Sequence, residues 1–84
     1  MFLGWFDPEK KKPARTKLAE AIERHVAKFG VAPEVCLVNP IDAAELSADA
    51  KAPAIDLRTA HFLPRWTFYV GIDDPPAADL PEAA

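Results

Sequence analysis

The sequence predicts a small α+β domain, built from a helix, a strand, a short helix and two further strands. Three observations support this order: a long segment with apolar residues at helical spacing, a short apolar run, and an alternating aromatic segment near the end. The 84 residues are enough for one domain, and a chain that is 50% hydrophobic and 27% charged has globular composition. We therefore expect residues 13–73 to form a single α/β domain.

The clearest predicted element is an amphipathic helix over residues 14–29. Pro13 suits the first position of a helix, and Gly30 supplies the left-handed residue that commonly ends one. The apolar residues that recur at helical spacing, and that we expect to pack on the sheet, are Leu18, Ile22, Val26 and Phe29.

Two shorter elements are predicted after this helix. Residues 34–38 form a continuous apolar run with β-branched side chains, which is typical of a buried strand. Asn39 can cap a following helix, with Pro40 at its first position. This second helix is predicted to span about 40–47.

The last two strands are predicted at 54–58 and 66–72. The first alternates between apolar and charged residues and should be a half-exposed edge strand. A right-handed crossover through the short helix makes 34–38 and 54–58 parallel. The second is the most apolar strand, with Trp66, Phe68, Val70 and Ile72 on one face. We predict a three-stranded mixed sheet with residues 66–72 central and the long helix on one face.

The two ends of the chain are predicted to lie outside this domain. Residues 1–12 are interpreted as an aromatic and basic arm, whose side chains either pack back on the domain or enter a partner. Residues 74–84 are rich in proline, alanine and acidic residues, so they are predicted to be a disordered tail.

Composition favours a cytoplasmic protein without a cofactor. Cys36 is the only cysteine, whereas small secreted domains usually carry several paired cysteines. No run approaches the ~20 apolar residues of a membrane span, and the apolar N-terminus lacks the order of regions found in signal peptides. The three glycines are scattered and no metal-ligand spacing occurs, so we expect no cofactor, no metal and no small-molecule substrate.

An enzyme built on Cys36, Asp56 and His61 is the weakest hypothesis that the sequence allows. A cysteine in an apolar strand is usually an inert small hydrophobe. Asp56 lies near basic residues, where an ion pair explains it, and neither His25 nor His61 belongs to a recognisable catalytic or metal motif. A non-enzymatic function is therefore favoured.

The favoured hypothesis is a small binding or accessory module that contacts a protein partner or itself. The candidate contacts are aromatic and arginine side chains, which are enriched in interface hot spots: Phe2, Trp5, Phe6, Arg58, Arg65 and Tyr69. The sheet part of this surface is exposed only if the short helix does not cover it, and the sequence leaves that open.

Self-association is expected because a domain of this size buries only about 60–65% of its unfolded surface and is marginally stable. The predicted edge strand at 54–58 offers one route. Asp56 and Arg58 could face each other across a two-fold axis if two copies of this strand pair antiparallel.

The alternative hypothesis is a nucleic-acid-associated protein that uses a basic stretch: Lys10, Lys11, Lys12, Arg15 and Lys17. Trp5 and Phe6 precede these cations, and cations beside aromatic rings can bind phosphates and stack on bases. Lysines at a helix N-terminus oppose the helix dipole, which favours a functional reason for their presence. The net charge of −3 gives no general attraction to nucleic acid.

Overall fold

The computed structural model of the chain describes residues 2–72. The predicted tail at 74–84 lies outside these residues. The elements, in chain order, are β1 (Phe2–Phe6), α1 (Ala14–Phe29), β2 (Val35–Val38), α2 (Pro40–Ala48), β3 (Asp56–Thr59) and β4 (Thr67–Gly71). The prediction of a small α+β domain with two helices and a mixed sheet is confirmed.

The strands form one sheet in the order β1-β4-β2-β3. β4 runs antiparallel to both of its neighbours, and β2 and β3 are parallel, as the crossover argument predicts. β3 is an edge strand, which was also predicted. β4 is interior, but it lies between β1 and β2 instead of between β2 and β3.

The predicted count of three strands is wrong, because residues 2–6 form a strand in place of part of the predicted arm. β1 pairs antiparallel with β4, from Phe2 opposite Gly71 to Phe6 opposite Thr67. Leu3 and Trp5 pack against the core while Phe2 and Phe6 stay exposed. The burial of every second residue of β1 is the physical reason for the fourth strand. The sequence does not show this alternation, because the residues on both faces of β1 are apolar apart from the glycine.

Helix α1 has the predicted bounds. It ends at Gly30, whose φ is 78° and whose N–H donates to the Val26 carbonyl at 2.8 Å. Leu18 is fully buried and Ile22 packs on the core, but the prediction that Val26 packs on the sheet is wrong because 42% of it is exposed. The buried stripe is instead centred on smaller and polar residues: Ala14, Lys17, Leu18, Ala21 and His25.

Helix α2 packs on the same side of the sheet as α1. The Asn39 side chain accepts a hydrogen bond from the Ile41 amide at 2.8 Å, which caps the helix as predicted. Ala43 and Leu46 join Leu18 in one core cluster with the sheet residues Cys36, Val38, Phe68 and Val70. Both helices therefore cover one face of the sheet.

Candidate functional site: the open face of the sheet

Neither helix of residues 2–72 covers the face of the sheet opposite the core cluster. Along β4, Phe68 and Val70 are fully buried against the helices, whereas Tyr69 between them is 42% exposed. Because successive residues of a strand point to opposite faces, Tyr69 lies on the side away from α1 and α2. The structure thus answers the question that the sequence leaves open: α2 does not cover this surface.

The pairing register places four residues in one row across this face. Gly4 lies opposite Tyr69, Tyr69 opposite Leu37, and Leu37 opposite Arg58. Phe2 and Phe6 flank Gly4 on the same face of β1, because Leu3 and Trp5 point into the core. We call the surface formed by Phe2, Gly4, Phe6, Leu37, Arg58 and Tyr69 the open face.

The Tyr69 ring lies directly over Gly4. A Cβ atom added to Gly4 would come within 2.9 Å of the Tyr69 Cε1, which is closer than carbon atoms pack. The missing side chain at position 4 therefore makes room for the ring between Phe2 and Phe6. Phe2 is 39% exposed and Phe6 61%, so the aromatic part of the open face presents three accessible apolar side chains, including that of Tyr69.

The β3 side of the open face is charged. The Arg58 Nη2 atom lies 3.0 Å from the Asp56 Oδ2 atom, and both side chains are about half exposed. Exposed pairs of this kind contribute little to stability, about 0–1 kcal/mol. The open face therefore changes from apolar at β1 to polar at β3, which resembles the apolar centre and polar rim of a protein interface.

The structure brings together only part of the predicted partner-binding set. Trp5 is half-buried on the helix side, with the Arg24 guanidinium 5.7 Å from its ring centroid. Arg65 donates through Nε to the Asp42 carboxylate at 2.9 Å, also on the helix side. The residues of that set that share the open face are Phe2, Phe6, Arg58 and Tyr69.

Sequence reasoning missed Gly4 and Leu37 as members of the open face. Leu37 belongs to the apolar run 34–38, in which both faces carry apolar residues, so alternation gives no signal there. Gly4 carries no side chain, and its role depends on Tyr69, which is far away in sequence. No pattern local to either residue could have identified it.

Asp42 is a third residue that sequence reasoning missed, and it positions β4. Its carboxylate is fully buried and accepts hydrogen bonds from Arg65 Nε at 2.9 Å and from the Trp66 amide at 2.6 Å. Trp66 has a φ of 61°, which is unusual for a bulky side chain. The buried carboxylate holds the backbone in this conformation immediately before β4 begins.

The basic stretch that carried the nucleic-acid hypothesis is largely engaged inside the domain. Lys12 Nζ lies 3.1 Å from an Asp7 oxygen and 2.9 Å from a Glu20 oxygen, and these carboxylates raise the pKa of Lys12. Arg15 Nη1 lies 2.8 Å from an Asp49 oxygen, and this hydrogen bond lowers the pKa of Asp49.

Lys17 is fully buried, although sequence reasoning placed it on the exposed basic surface. Its Nζ lies 4.5 Å from the centroid of the Trp66 ring, a cation–π contact, and has no hydrogen-bond partner within residues 2–72. Lys10 and Lys11 remain exposed. The five cations of the basic stretch therefore do not form one continuous exposed surface.

The residues of the weak enzyme hypothesis point in different directions. Cys36 is buried in the core, and burial raises its pKa to about 12, so the thiol is protonated at neutral pH. It lies opposite Leu57, whereas the preceding residue Asp56 points to the other face of the sheet. His61 is exposed in the loop after β3. The structure therefore separates Cys36 from Asp56.

Neither a metal site nor a membrane span is found among residues 2–72. No three histidine, cysteine or carboxylate side chains in this range are grouped closely enough to hold a metal ion. No helix within the same range has the length and apolar character needed to cross a bilayer.

No known protein family, no curated protein and no solved structure matches this chain.

Proposed function

We propose that this protein is a non-enzymatic binding module that contacts a protein partner, another chain or its own, through the open face. The observation that carries the proposal is the group of three exposed aromatic side chains, Phe2, Phe6 and Tyr69, on a sheet face that neither helix covers. Aromatic side chains ordered by a rigid sheet lose little conformational entropy on binding and are enriched at interface centres.

The chemistry of this face fits a protein partner better than a nucleic acid. The charged part of this face is the Asp56–Arg58 pair on β3, which contributes one charge of each sign, so the face offers no excess of positive charge to a phosphate backbone. Of the basic stretch, Lys10 and Lys11 are the two residues that are exposed and make no ion pair within residues 2–72. Nucleic-acid binding through Lys10–Lys17 therefore has weaker support.

We place the proposed activity in the cytoplasm, which suits a chain with a single, unpaired cysteine.

The proposal is tested by photo-crosslinking at single positions in the cells that produce the protein. A photoreactive phenylalanine derivative replaces Tyr69 in one variant and Val26 in the other. These two residues form a matched pair, because each is 42% exposed but Val26 lies on α1, on the opposite layer. We expect a discrete crosslinked product from position 69 and none from position 26.

The identity of the crosslinked product then decides between the two hypotheses. A product that contains a polypeptide supports the proposal, and a product that contains RNA or DNA supports the alternative. Equal products from positions 69 and 26, or none from position 69, would contradict the assignment of the open face as the binding surface.

A further inference from the structure

β1 is an edge strand with no charge and no proline. Its residues are Phe-Leu-Gly-Trp-Phe, and no described strand lies beyond it. Edge strands are usually protected from pairing with other chains by charged residues, proline or bulges. The other edge of this sheet has such protection, because β3 carries the Asp56–Arg58 pair. β1 lacks it and exposes Phe2 and Phe6 instead.

The backbone of β1 is oriented for pairing on its outer side. The Asp7 amide donates to the Trp66 carbonyl at 3.1 Å, which continues the ladder between β1 and β4. In an antiparallel pair, alternate residues exchange hydrogen bonds with the neighbour, so Leu3 and Trp5 bond to β4 as Asp7 does. The N–H and C=O groups of Phe2, Gly4 and Phe6 then point away from β4, toward the unpaired edge.

We propose that a second copy of this chain pairs antiparallel with β1 about a two-fold axis at Gly4. In this register Gly4 faces its own copy, and Phe2 faces Phe6 of the second copy on either side of the axis. All three outward-pointing residues then exchange hydrogen bonds across the new ladder. The two four-stranded sheets become one continuous sheet.

The register follows from the self-complementarity that a two-fold axis requires. Phe2 and Phe6 lie at equal distances from Gly4 on the same face, so the axis at Gly4 places aromatic rings directly opposite aromatic rings. Tyr69 covers Gly4 in each copy, so the two Tyr69 rings approach each other over the pair of glycines. The aromatic parts of both open faces merge into one cluster.

This inference rests on the proposed function and names one of its partners, a second copy at the β1 edge. Leu37 and Arg58 lie on β2 and β3, the strands farthest from the paired edge, and they stay accessible on the joined sheet. The same face can therefore still contact another protein.

The register is tested with two double variants that differ in one charge. Phe2→Lys/Phe6→Lys places like charges opposite each other in the proposed dimer, and Phe2→Lys/Phe6→Glu places opposite charges there. Within one chain, positions 2 and 6 of a strand lie roughly 13 Å apart, so the pairs interact only weakly in the monomer. Sedimentation equilibrium measures the dimer dissociation constant of the full-length parent and of both variants.

We expect the parent to dimerise, the Lys/Lys variant to weaken dimerisation by about 100-fold or more, and the Lys/Glu variant to regain at least about tenfold of that loss. Circular dichroism melts of dilute samples check that both variants are folded. If either variant does not fold, hydrogen exchange of the parent protein tests the same interface. Hydrogen exchange of the parent should show amide protection at Phe2, Gly4 and Phe6 that rises with protein concentration, while Leu57 and Thr59 stay unchanged.

Three results would overturn the inference. The parent could remain monomeric up to about 1 mM, a concentration at which even weak dimers form. The two double variants could weaken association equally, which would exclude the antiparallel register. Protection could instead rise at Leu57 and Thr59, which would move the interface to β3.

The outcome is separable from that of the proposed function. A monomeric parent that still crosslinks another polypeptide at position 69 overturns the dimer and keeps the binding module. A dimer with the expected charge dependence, whose crosslinked product at position 69 contains only this chain, keeps the β1 pairing and overturns the contact of the open face with another protein.

Discussion

The two faces of the sheet show how one strand can serve two purposes. On β4, Phe68 and Val70 are completely buried, while Tyr69 between them is exposed by 42%. The difference originates in the connections. The crossovers from β1 to β2 and from β2 to β3 advance in the same direction along the sheet, and crossovers of the same hand then place both helices on one side. The return to β4 contains no helix, so neither helix of residues 2–72 lies on the other side.

The largest test of this difference is a pair of alanine substitutions on adjacent residues. Phe68→Ala should lower the free energy of unfolding by about 3–5 kcal/mol, because it removes the largest apolar side chain of the core. Tyr69→Ala should cost about 1 kcal/mol or less, since the side chain is 42% exposed and leaves no cavity in the core when it is removed. Urea denaturation of dilute samples measures both values.

An unstable Phe68→Ala protein is expected, because a loss of this size approaches the whole stability of a small domain. The comparison would fail if the two variants melted within a degree or two of each other. In that case the faces would not differ in their contribution to the core.

The helix-covered face could be predicted from sequence because its signals are local. The spacing of residues 14–29, the caps at Asn39 and Gly30 and the alternation at 66–72 all follow from physical rules that act over a few residues. The parallel pairing of β2 and β3 followed from the short helix between them. The face of α1 was predicted only in part, because the buried stripe includes Ala21 and the aliphatic stem of Lys17, whereas the apolar periodicity pointed to Val26.

The open face was only partly predictable because it is assembled from residues that are distant in sequence. Tyr69 and Arg58 were identified from their own strands, but their common row depends on β2 lying between them. The order of strands in a sheet depends on contacts between distant parts of the chain. The observed order differs from the predicted one because residues 2–6 form a fourth strand beside β4. The contact between Tyr69 and Gly4 exists only because of that strand.

A second test concerns the buried carboxylate that holds the start of β4 on the helix side. Asp42→Ala should cost about 1.5–3 kcal/mol, because it leaves the Trp66 amide and Arg65 without their charged acceptor. Asp42→Asn should cost less, since its carbonyl oxygen can still accept one of these hydrogen bonds. Chemical denaturation gives the stability, and near-ultraviolet circular dichroism reports the packing of Trp66.

The informative result is which of the two Asp42 variants loses more stability. A smaller loss for alanine than for asparagine would mean that the buried charge destabilises the fold and that its removal outweighs the lost hydrogen bonds. The positive φ of Trp66 would then be maintained by packing alone.

The smallest test examines how the end of β1 is fastened to the helix-covered side. Two groups lower the pKa of Asp7 from its ordinary value of 3.8: the Glu9 amide, which donates to its carboxylate at 3.0 Å, and Lys12. A carboxylate with a lowered pKa stabilises the fold fully above its unfolded pKa, and this contribution is lost as the pH falls through the folded value.

Stability should therefore decline below about pH 4, and Asp7→Asn should show a shallower decline from a slightly lower value at pH 7. Glu23→Gln is the control, because Glu23 is an exposed carboxylate of α1 with no hydrogen bond or ion pair within residues 2–72. It should keep the slope of the parent.

Thermal melts between about pH 2 and pH 7 measure all three proteins. If Asp7→Asn declined as steeply as the parent, the acid sensitivity would come from other carboxylates. β1 would then be held to the domain by its ladder with β4 and the burial of Leu3 and Trp5, without help from charge.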